Sequence, residues 1–596
     1  MEKLISILEK ELKKAFCEAG YDESYAKVTV SNRPDLCEYQ CNGAMAAAKT
    51  YHKAPFMIAD DVVEKVSVGQ DSFISVIETV KPGFININVD PEALGRYLTE
   101  MGSDEYLGIP QTDTRETIIL DYGGPNVAKP LHVGHLRSAV IGEAVKRIDR
   151  AVGQNAIGDI HLGDWGLQIG LIITETAERY PDLVYFDENY EGDYPKEAPF
   201  TIGELEEIYP SASGRSKADE EYKNRALQAT HELQEGRRGY RELWKKIMEI
   251  SVTDLKKNYA RLNVDFELWK AESDAQPYIP ELISTLRDKG IARVDQGALI
   301  VDVAQEDDKK EIPPCIVLKS DGASLYATTD LATIMDRVKN YDPEKITYIV
   351  DKRQEMHFVQ VFRTARKAGL VSDNVELKHI GFGTMNGADG KPFKTREGGV
   401  MRLENLIADI NEEMENKIRD NRNIRDDEVK RTAEIVGLAA LKYGDLSNQA
   451  TKDYIFDVDK FTSFEGNTGP YILYTIVRIK SIINKYVDEV LGKDGQNEDT
   501  KGTILAASSD AEKKLQLILT DFGPTVWDAY EQSAPHRICS YIYELANTFN
   551  TFYHETKIIS ETDREKQKSW IALITLAKEV MEKSIDMLGF EAPDHM

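Results

Sequence analysis

Residues 117–140 read TIILDYGGPNVAKPLHVGHLRSAV, and this stretch decides the fold of the central part of the chain. Its first six residues are short, β-branched and mostly apolar, which predicts a buried strand. After a glycine-containing loop, Leu136, Val140, Ala144 and Ile148 recur at every fourth position. That spacing predicts a helix with one apolar face. The stretch is therefore a strand that feeds a helix through a loop.

The same alternation continues along the chain. Residues 155–166, 346–350 and 377–385 have the composition of strands, whereas 167–180 and 354–369 have the periodicity of helices. Strands that alternate with helices predict a parallel, doubly wound, Rossmann-like sheet. In such sheets, ligands bind beyond the carboxyl ends of the strands. The loop that follows TIILDY lies at one of those ends.

At 596 residues the chain exceeds what one hydrophobic core usually holds. We predict a multidomain α/β protein with a small α+β domain at 1–110 and the sheet domain at 117–400. A charged helical insertion interrupts the sheet domain at about 181–274. A helical connecting region follows at 401–465, and an all-α region at 466–596.

Composition limits the function classes. The net charge of −28 argues against nucleic acid, but only weakly, because the net charge of a large chain does not report one local surface. No run of eighteen apolar residues appears, so we expect no membrane span. The amino-terminal helix lacks the apolar core of a signal peptide. Five scattered cysteines without a CxxC pair indicate reduced thiols in the cytoplasm. Cys37 and Cys41 are four apart on a predicted helix, which is too little for a structural zinc site.

The histidines of the loop, His132 and His135, allow three interpretations: a zinc site, a buried structural pair, or a phosphate cradle. Zinc would need a further ligand that the spacing does not supply. A buried pair would be flanked by apolar residues rather than by Gly134. The start of a helix offers free amide groups and a positive dipole end. The pattern therefore favours phosphate binding, by a modest margin, since HxGH also occurs by chance.

A second loop supports the same chemistry. Residues 386–403, NGADGKPFKTREGGVMRL, follow a late strand and carry Lys391, Lys394 and Arg396. A basic loop in this place suits a triphosphate. The chain contains neither GxxxxGK[ST] nor GxGxxG after a strand, which argues against a P-loop enzyme and a dinucleotide oxidoreductase.

Together these motifs resemble a known family. His132-Val133-Gly134-His135 resembles the HIGH signature of class I aminoacyl-tRNA synthetases, and residues 393–399 occupy the place of their KMSKS loop. Longer strings are similar to the arginyl-tRNA synthetases in particular: GGPNVAKPLHVGHLRS, GDWGLQIG, LYATTDLA, GNTGPYILY and the carboxyl-terminal EAPDHM. They span nearly the whole chain in the order of the family.

The resemblance implies ATP-dependent attachment of L-arginine to tRNA(Arg) through an arginyl-adenylate, with release of AMP and pyrophosphate. It implies that ATP, the substrate, arrives with Mg²⁺ and that adenylate formation needs bound tRNA. The domain at 1–110 would bind the tRNA elbow, and 466–596 would be an anticodon-binding bundle. We expect a cytoplasmic monomer.

The resemblance also assigns roles to residues. One departure from the wider class is Thr395, which holds the place of the second KMSKS lysine; Lys129 is expected to compensate. Tyr326 and Asp330 are four apart, hence on one helix face, and the Asp330 carboxylate can accept the guanidinium fork. The expected catalytic residues are Lys129, His132, His135, Lys394 and Arg396. The expected ATP-binding residues are Lys129, His132, Gly134, His135, Lys391 and Lys394. The expected arginine-binding residues are Asp121, Gly124, Asn126, His135, Tyr326, Asp330 and Gln354.

Two other function classes remain open at this point. An HxGH nucleotidyltransferase that makes a small cofactor would leave the long helical carboxyl-terminal region unexplained. A catalytically inactive tRNA-binding protein would have no need of intact Lys129, His132, His135 and Asp330.

Overall fold

A computed structural model of the chain describes residues 1–69, 72–129, 131–387, 389–391, 401–419, 425–491 and 500–596. The described chain divides into two compact units. The first contains residues 1–112, 464–586 and 591–596, and the second contains residues 113–463 and 587–590. The amino-terminal and carboxyl-terminal parts of the chain thus form one unit.

The amino-terminal part of the first unit is α+β, as predicted. Its helices are α1 (Leu4–Glu18), α2 (Gly43–Tyr51), α3 (Pro55–Val63) and α4 (Pro91–Ser103). Its strands, β1 (Val28–Val30), β2 (Tyr39–Cys41), β3 (Ile74–Val80) and β4 (Phe84–Val89), form an antiparallel sheet in the order β1-β2-β4-β3.

One local prediction was wrong here. Cys37 and Cys41 were expected on one helix, but Cys41 ends strand β2, and the helix begins only at Gly43. The alternation of buried Tyr39, half-buried Gln40 and buried Cys41 matches a strand, because β2 pairs with both β1 and β4.

The second unit contains the predicted parallel sheet. The strands of this unit are β5 (Thr117–Tyr122), β6 (Asn155–Leu162), β7 (Leu268–Ala271), β8 (Ala292–Asp295), β9 (Ala298–Val301), β10 (Cys315–Leu318), β11 (Lys345–Asp351), β12 (Glu376–Phe382), β13 (Met385–Asn386) and β14 (Tyr454–Ile455). Five of them form a parallel sheet in the order β12-β11-β5-β6-β7. The winding reverses between β5 and β11, which places the expected ligand crevice at their carboxyl ends.

The helices of the second unit are α5 (Val133–Ala151), α6 (Leu167–Arg179), α7 (Ile202–Ala218), α8 (Glu220–Gln234), α9 (Arg238–Arg261), α10 (Glu272–Ala275), α11 (Ile279–Asp288), α12 (Tyr326–Tyr341), α13 (Glu355–Ala368), α14 (Leu403–Arg419), α15 (Asp426–Leu446) and α16 (Val458–Phe461). Helix α5 packs directly on β5, since a Cβ at Gly142 would lie 2.2 Å from Cγ of Tyr122. This close approach fixes the start of α5 beside the carboxyl end of β5.

The charged segment after α6 is helical, as its composition predicts, and consists of α7, α8 and α9. The end of this segment differs from the expectation. Residues Leu268–Ala271 were predicted to belong to the helical insertion, but they form strand β7 of the parallel sheet, and α10 starts at Glu272. A three-stranded antiparallel sheet, β10-β9-β8, was not predicted. Four-residue strands carry too little periodicity to be recognised in a sequence.

The carboxyl-terminal part of the first unit is helical, with α17 (Gly469–Tyr486), α18 (Asp510–Thr520), α19 (Phe522–Gln532), α20 (His536–Glu555) and α21 (Arg564–Met587). It packs against the amino-terminal part of the same unit. The Ile504 amide donates to Oγ1 of Thr99 (2.9 Å), and a Cβ at Gly95 would lie 2.5 Å from the Ile504 carbonyl oxygen. Across the described residues, no helix has both the length and the apolar composition that a membrane span requires.

Candidate active site

A cavity of about 730 Å³ opens where the sheet reverses its winding, at the carboxyl ends of β5 and β11. Its lining contains most of the residues that the sequence singled out, although they come from separate elements. They are Asp121, Gly124, Asn126, His132, Gly134, His135, Tyr326, Asp330 and Gln354. The fold thus brings the predicted arginine-binding residues and the HVGH residues to one crevice.

The basic residues are placed differently. Lys129 lies in the loop before α5, with its ammonium 4.5 Å from the centroid of the Tyr209 ring, and it does not line the cavity. Lys391 lies in a turn after β13, where its carbonyl accepts the Gly387 amide (2.8 Å), and it does not line the cavity. Lys394 and Arg396 lie outside the described residues.

The two histidines cap the amino terminus of α5. Nδ1 of His132 accepts the Gly134 amide hydrogen (3.1 Å), and Nδ1 of His135 accepts the His132 amide hydrogen (3.2 Å). The rings stack at a centroid distance of 3.9 Å. This reciprocal arrangement satisfies amide groups that a helix start leaves unpaired. Because each Nδ1 acts as an acceptor, each ring carries its proton on Nε2.

The protonation of these rings follows from their surroundings. Burial lowers the pKa of His135 to about 3, with smaller contributions from His132 and Lys129. Burial and then Lys129 also lower the pKa of His132. Both rings are therefore neutral near pH 7, and each offers one Nε2–H donor rather than a positive charge.

Gly134 has a role that the sequence did not reveal. The family resemblance implied that it contacts ATP. In the structure, a Cβ at this position would lie 2.8 Å from Cε1 of His132, closer than such contacts occur. Gly134 therefore makes room for the capping imidazole, which any side chain would displace.

One end of the cavity is acidic. Asp330 follows the first turn of α12, and Glu272 begins α10. Burial, with smaller contributions from the nearby carboxylates of Asp164 and Asp330, raises the pKa of Glu272 to about 7. Among the described residues, no lysine or arginine pairs with Glu272 or Asp330. Two carboxylates that repel each other in a partly buried crevice favour a cationic ligand.

His357 joins this acidic end. Its Nε2 lies 2.5 Å from Oδ2 of Asp330, and both side chains are only about a quarter exposed. This contact fixes one carboxylate oxygen of Asp330 and leaves the other to a ligand. Neither Glu272 nor His357 was among the predicted site residues. Each is separated from Asp330 in the sequence, so only the fold reveals the cluster.

Asp121 is held by a buried arginine. Arg337 of α12 is fully buried and bonds to Oδ2 of Asp121 (2.5 Å) and Oδ2 of Asp159 (2.7 Å). Two carboxylates thus share one guanidinium, which ties the helix of Tyr326 and Asp330 to strands β5 and β6. The Asp121 carboxylate reaches the cavity with part of its charge already compensated.

Comparison with known proteins agrees with this architecture. The model of the class I tRNA synthetase (R) catalytic domain matches residues 98–458. The DALR anticodon binding domain matches residues 472–596, and the arginyl tRNA synthetase N terminal domain matches residues 2–89.

Relatives match over the full length. The arginine–tRNA ligases of Agathobacter rectalis and Alkaliphilus oremlandii are 62% and 56% identical to this chain, with 100% of both chains covered. Solved arginyl-tRNA synthetases from Plasmodium falciparum (TM-score 0.81, 23% identity) and Thermus thermophilus (TM-score 0.77, 21% identity) share the fold, again over 100% of both chains. The chain belongs to the arginyl-tRNA synthetase family of class I aminoacyl-tRNA synthetases.

Proposed function

We propose that this enzyme attaches L-arginine to tRNA(Arg) in translation, with ATP as the second substrate. The observation that carries the proposal is the cavity itself, whose lining contains two carboxyl groups, Glu272 and Asp330, and two neutral imidazoles that each offer an Nε2–H donor. Glu272 and Asp330 form a site for a guanidinium, whose planar fork of donors suits carboxylates. His132 and His135 suit phosphate oxygens.

The first step forms arginyl-adenylate. A carboxylate oxygen of arginine attacks the α-phosphorus of ATP, the bond to the bridging oxygen breaks, and pyrophosphate leaves. Because no covalent enzyme intermediate is required, the protein acts by positioning the reactants and stabilising charge on the phosphoryl group. Neutral Nε2–H groups of His132 and His135 would donate to oxygens that gain charge in this step.

The second step transfers arginine to the tRNA. The 2′-hydroxyl of the terminal ribose attacks the carbonyl carbon of the adenylate, and AMP leaves with the bonding electron pair. We assign recognition of the substrate α-amino group to Asp121 and Asn126. Lys129, Lys394 and Arg396 are assigned to the phosphates, and Lys391 is assigned to ATP, although neither Lys129 nor Lys391 lines the cavity.

Magnesium enters with ATP in this proposal, bound through phosphate oxygens and water. Among the described residues, no group of three or more histidine, cysteine, aspartate or glutamate side chains is arranged to hold a metal ion. We further propose that the enzyme works as a monomer in the cytoplasm, and that residues 1–110 and 466–596 bind the elbow and the anticodon arm of tRNA.

The test is aminoacylation of a tRNA(Arg) transcript by the purified chain. We expect one arginine to be esterified per tRNA, with one AMP released for each ester formed. Asp330→Asn should impair this reaction, whereas Asp342→Asn should not. Asp342 caps the end of the same helix in a left-handed conformation that asparagine also adopts. Absence of arginylation by the wild-type protein would refute the proposal.

A further inference from the structure

Helix α7 of the helical insertion lies against Lys129, which precedes the two histidines in the loop before α5. The ring of Tyr209 faces the ammonium of Lys129 at 4.5 Å. The same ammonium contributes to the lowered pKa values of His132 and His135, after burial as the main cause. Lys129 therefore lies within electrostatic reach of both histidines and against α7.

The nature of this contact matters for an anionic ligand. Among the described residues, no carboxylate pairs with Lys129, whereas Lys339 and Lys352 in the same unit pair with Glu281 and Asp453. A carboxylate would hold a lysine and also neutralise it. The face of an aromatic ring attracts an ammonium and leaves its charge uncompensated. The Lys129 charge thus remains available to a phosphate.

Tyr209 is itself fixed by the insertion. Its ring packs against a buried cluster formed by Leu171, Ala212, Tyr222 and Ala226, which joins α6, α7 and α8. Ordering the ring in this way lowers the entropic cost of holding a long lysine side chain. The position of Lys129 is thereby coupled to the packing of the inserted helices.

A second contact comes from the same face of α7. Glu206, three residues before Tyr209 and therefore on the same face, pairs with Arg402 at 2.7 Å. The backbone of Arg402 forms an antiparallel β-bridge with the backbone of His132. The adjacent Leu403 amide donates to the Leu131 carbonyl (2.9 Å). One face of α7 therefore supports both the Lys129 loop and the segment that lies along the HVGH loop.

We propose that α7 is a positioning element of the ATP half of the site, in which Tyr209 holds the Lys129 ammonium for the triphosphate and Glu206 holds Arg402 against the histidine loop. Tyr209 is a positioning residue that acts through Lys129. This inference rests on the proposed function, and it gives the insertion a part in ATP use.

The experiment measures tRNA-dependent ATP–pyrophosphate exchange with arginine for wild type, Tyr209→Leu and Tyr209→Phe. Leucine keeps apolar volume but removes the ring, whereas phenylalanine keeps the ring. We expect Tyr209→Leu to lower kcat/KM for ATP by about 3- to 30-fold, the effect of losing one cation–π contact. KM for arginine should stay within about twofold of the wild-type value. Tyr209→Phe should keep the wild-type kcat/KM for ATP.

The matched control is Tyr240→Leu. The ring of Tyr240 lies 4.0 Å from the Arg237 guanidinium in the same insertion, and Arg237, unlike Lys129, does not contribute to the lowered pKa values of His132 and His135. This variant should keep the wild-type KM for ATP. An equal loss in Tyr240→Leu and Tyr209→Leu would mean that the insertion is merely destabilised, and would overturn the inference.

A double-mutant cycle tests whether Tyr209 acts through Lys129. If it does, adding Tyr209→Leu to Lys129→Met should reduce kcat/KM for ATP by less than twofold beyond Lys129→Met alone. Independent, multiplying losses would overturn the inference, as would wild-type kinetics for Tyr209→Leu. Failure of the proposed function is distinguishable, because the wild-type enzyme would then show no arginine-dependent exchange.

Discussion

Replacing Asp330 by asparagine tests how the cavity selects arginine. The change keeps the size of the side chain and removes one of the two carboxylate charges at the acidic end. Oδ2 of Asp330 lies 2.5 Å from Nε2 of His357, so the new amide still has a neighbour with which it can bond. A neutral imidazole can donate or accept at Nε2 by changing its tautomer. We therefore expect the variant to fold.

The size of the effect follows from the surroundings of Asp330. Truncating one partner of a hydrogen-bonded charge pair costs about 2–5 kcal/mol. The Asp330 side chain is 23% exposed, and Glu272 remains to face the guanidinium. The lower end of the range is therefore expected, about 2–3 kcal/mol, which corresponds to a loss of about 30- to 150-fold in kcat/KM for arginine.

The assay is tRNA-dependent pyrophosphate exchange with arginine, citrulline and lysine. Citrulline has nearly the shape of arginine without its charge, and it places a carbonyl where a carboxylate needs a donor. Asp330→Asn should narrow the preference for arginine over citrulline, because an amide both donates and accepts. KM for ATP should not change. Normal use of arginine by the variant would refute the reasoning, and the guanidinium would then be read elsewhere in the cavity.

Three further predictions follow from the same cavity. Because the pKa of Glu272 is about 7 in the free site, arginine binding should weaken by up to about tenfold per pH unit below pH 7 and should release protons. Calorimetry in buffers of different ionisation enthalpy measures both effects. In Glu272→Gln, the pH dependence and the proton release should both disappear. His135→Ala should lower kcat and kcat/KM together by about a hundredfold or more, as for loss of one oxyanion donor, and loss confined to KM for ATP would instead make His135 a ground-state contact. Gly134→Ala should displace the His132 ring, since the new Cβ would lie 2.8 Å from Cε1 of His132. The variant should show reduced exchange with little change in KM for arginine. Wild-type exchange by the variant would show that the capping geometry is not needed.

The parallel sheet was predictable because its evidence is local. TIILDY and the apolar face of α5 each carry enough periodicity within one segment to define a strand and a helix. The β-strand at Tyr39–Cys41 was missed because three residues before an alanine-rich helix carry too little periodicity of their own. Short strands take their identity from the partners with which they pair.

The site was predictable in part, for a related reason. His132 and Asp330 lie in motifs whose resemblance to a family is visible in the sequence, and the structure places them in one cavity. Glu272 and His357 had no such signal, since a carboxylate or an imidazole on a charged helix is usually a solvated group. Their relevance appears only once folding places them beside Asp330.

The most direct test of the account is ATP–pyrophosphate exchange by the wild-type chain with each of the protein amino acids, with and without tRNA(Arg). The account predicts exchange with arginine and with no other amino acid. Only a guanidinium offers both the positive charge and the planar set of donors that Glu272 and Asp330 can bind. The account also predicts that exchange is nearly absent without tRNA. Exchange with another amino acid in place of arginine, or none with arginine and tRNA(Arg), would contradict the account.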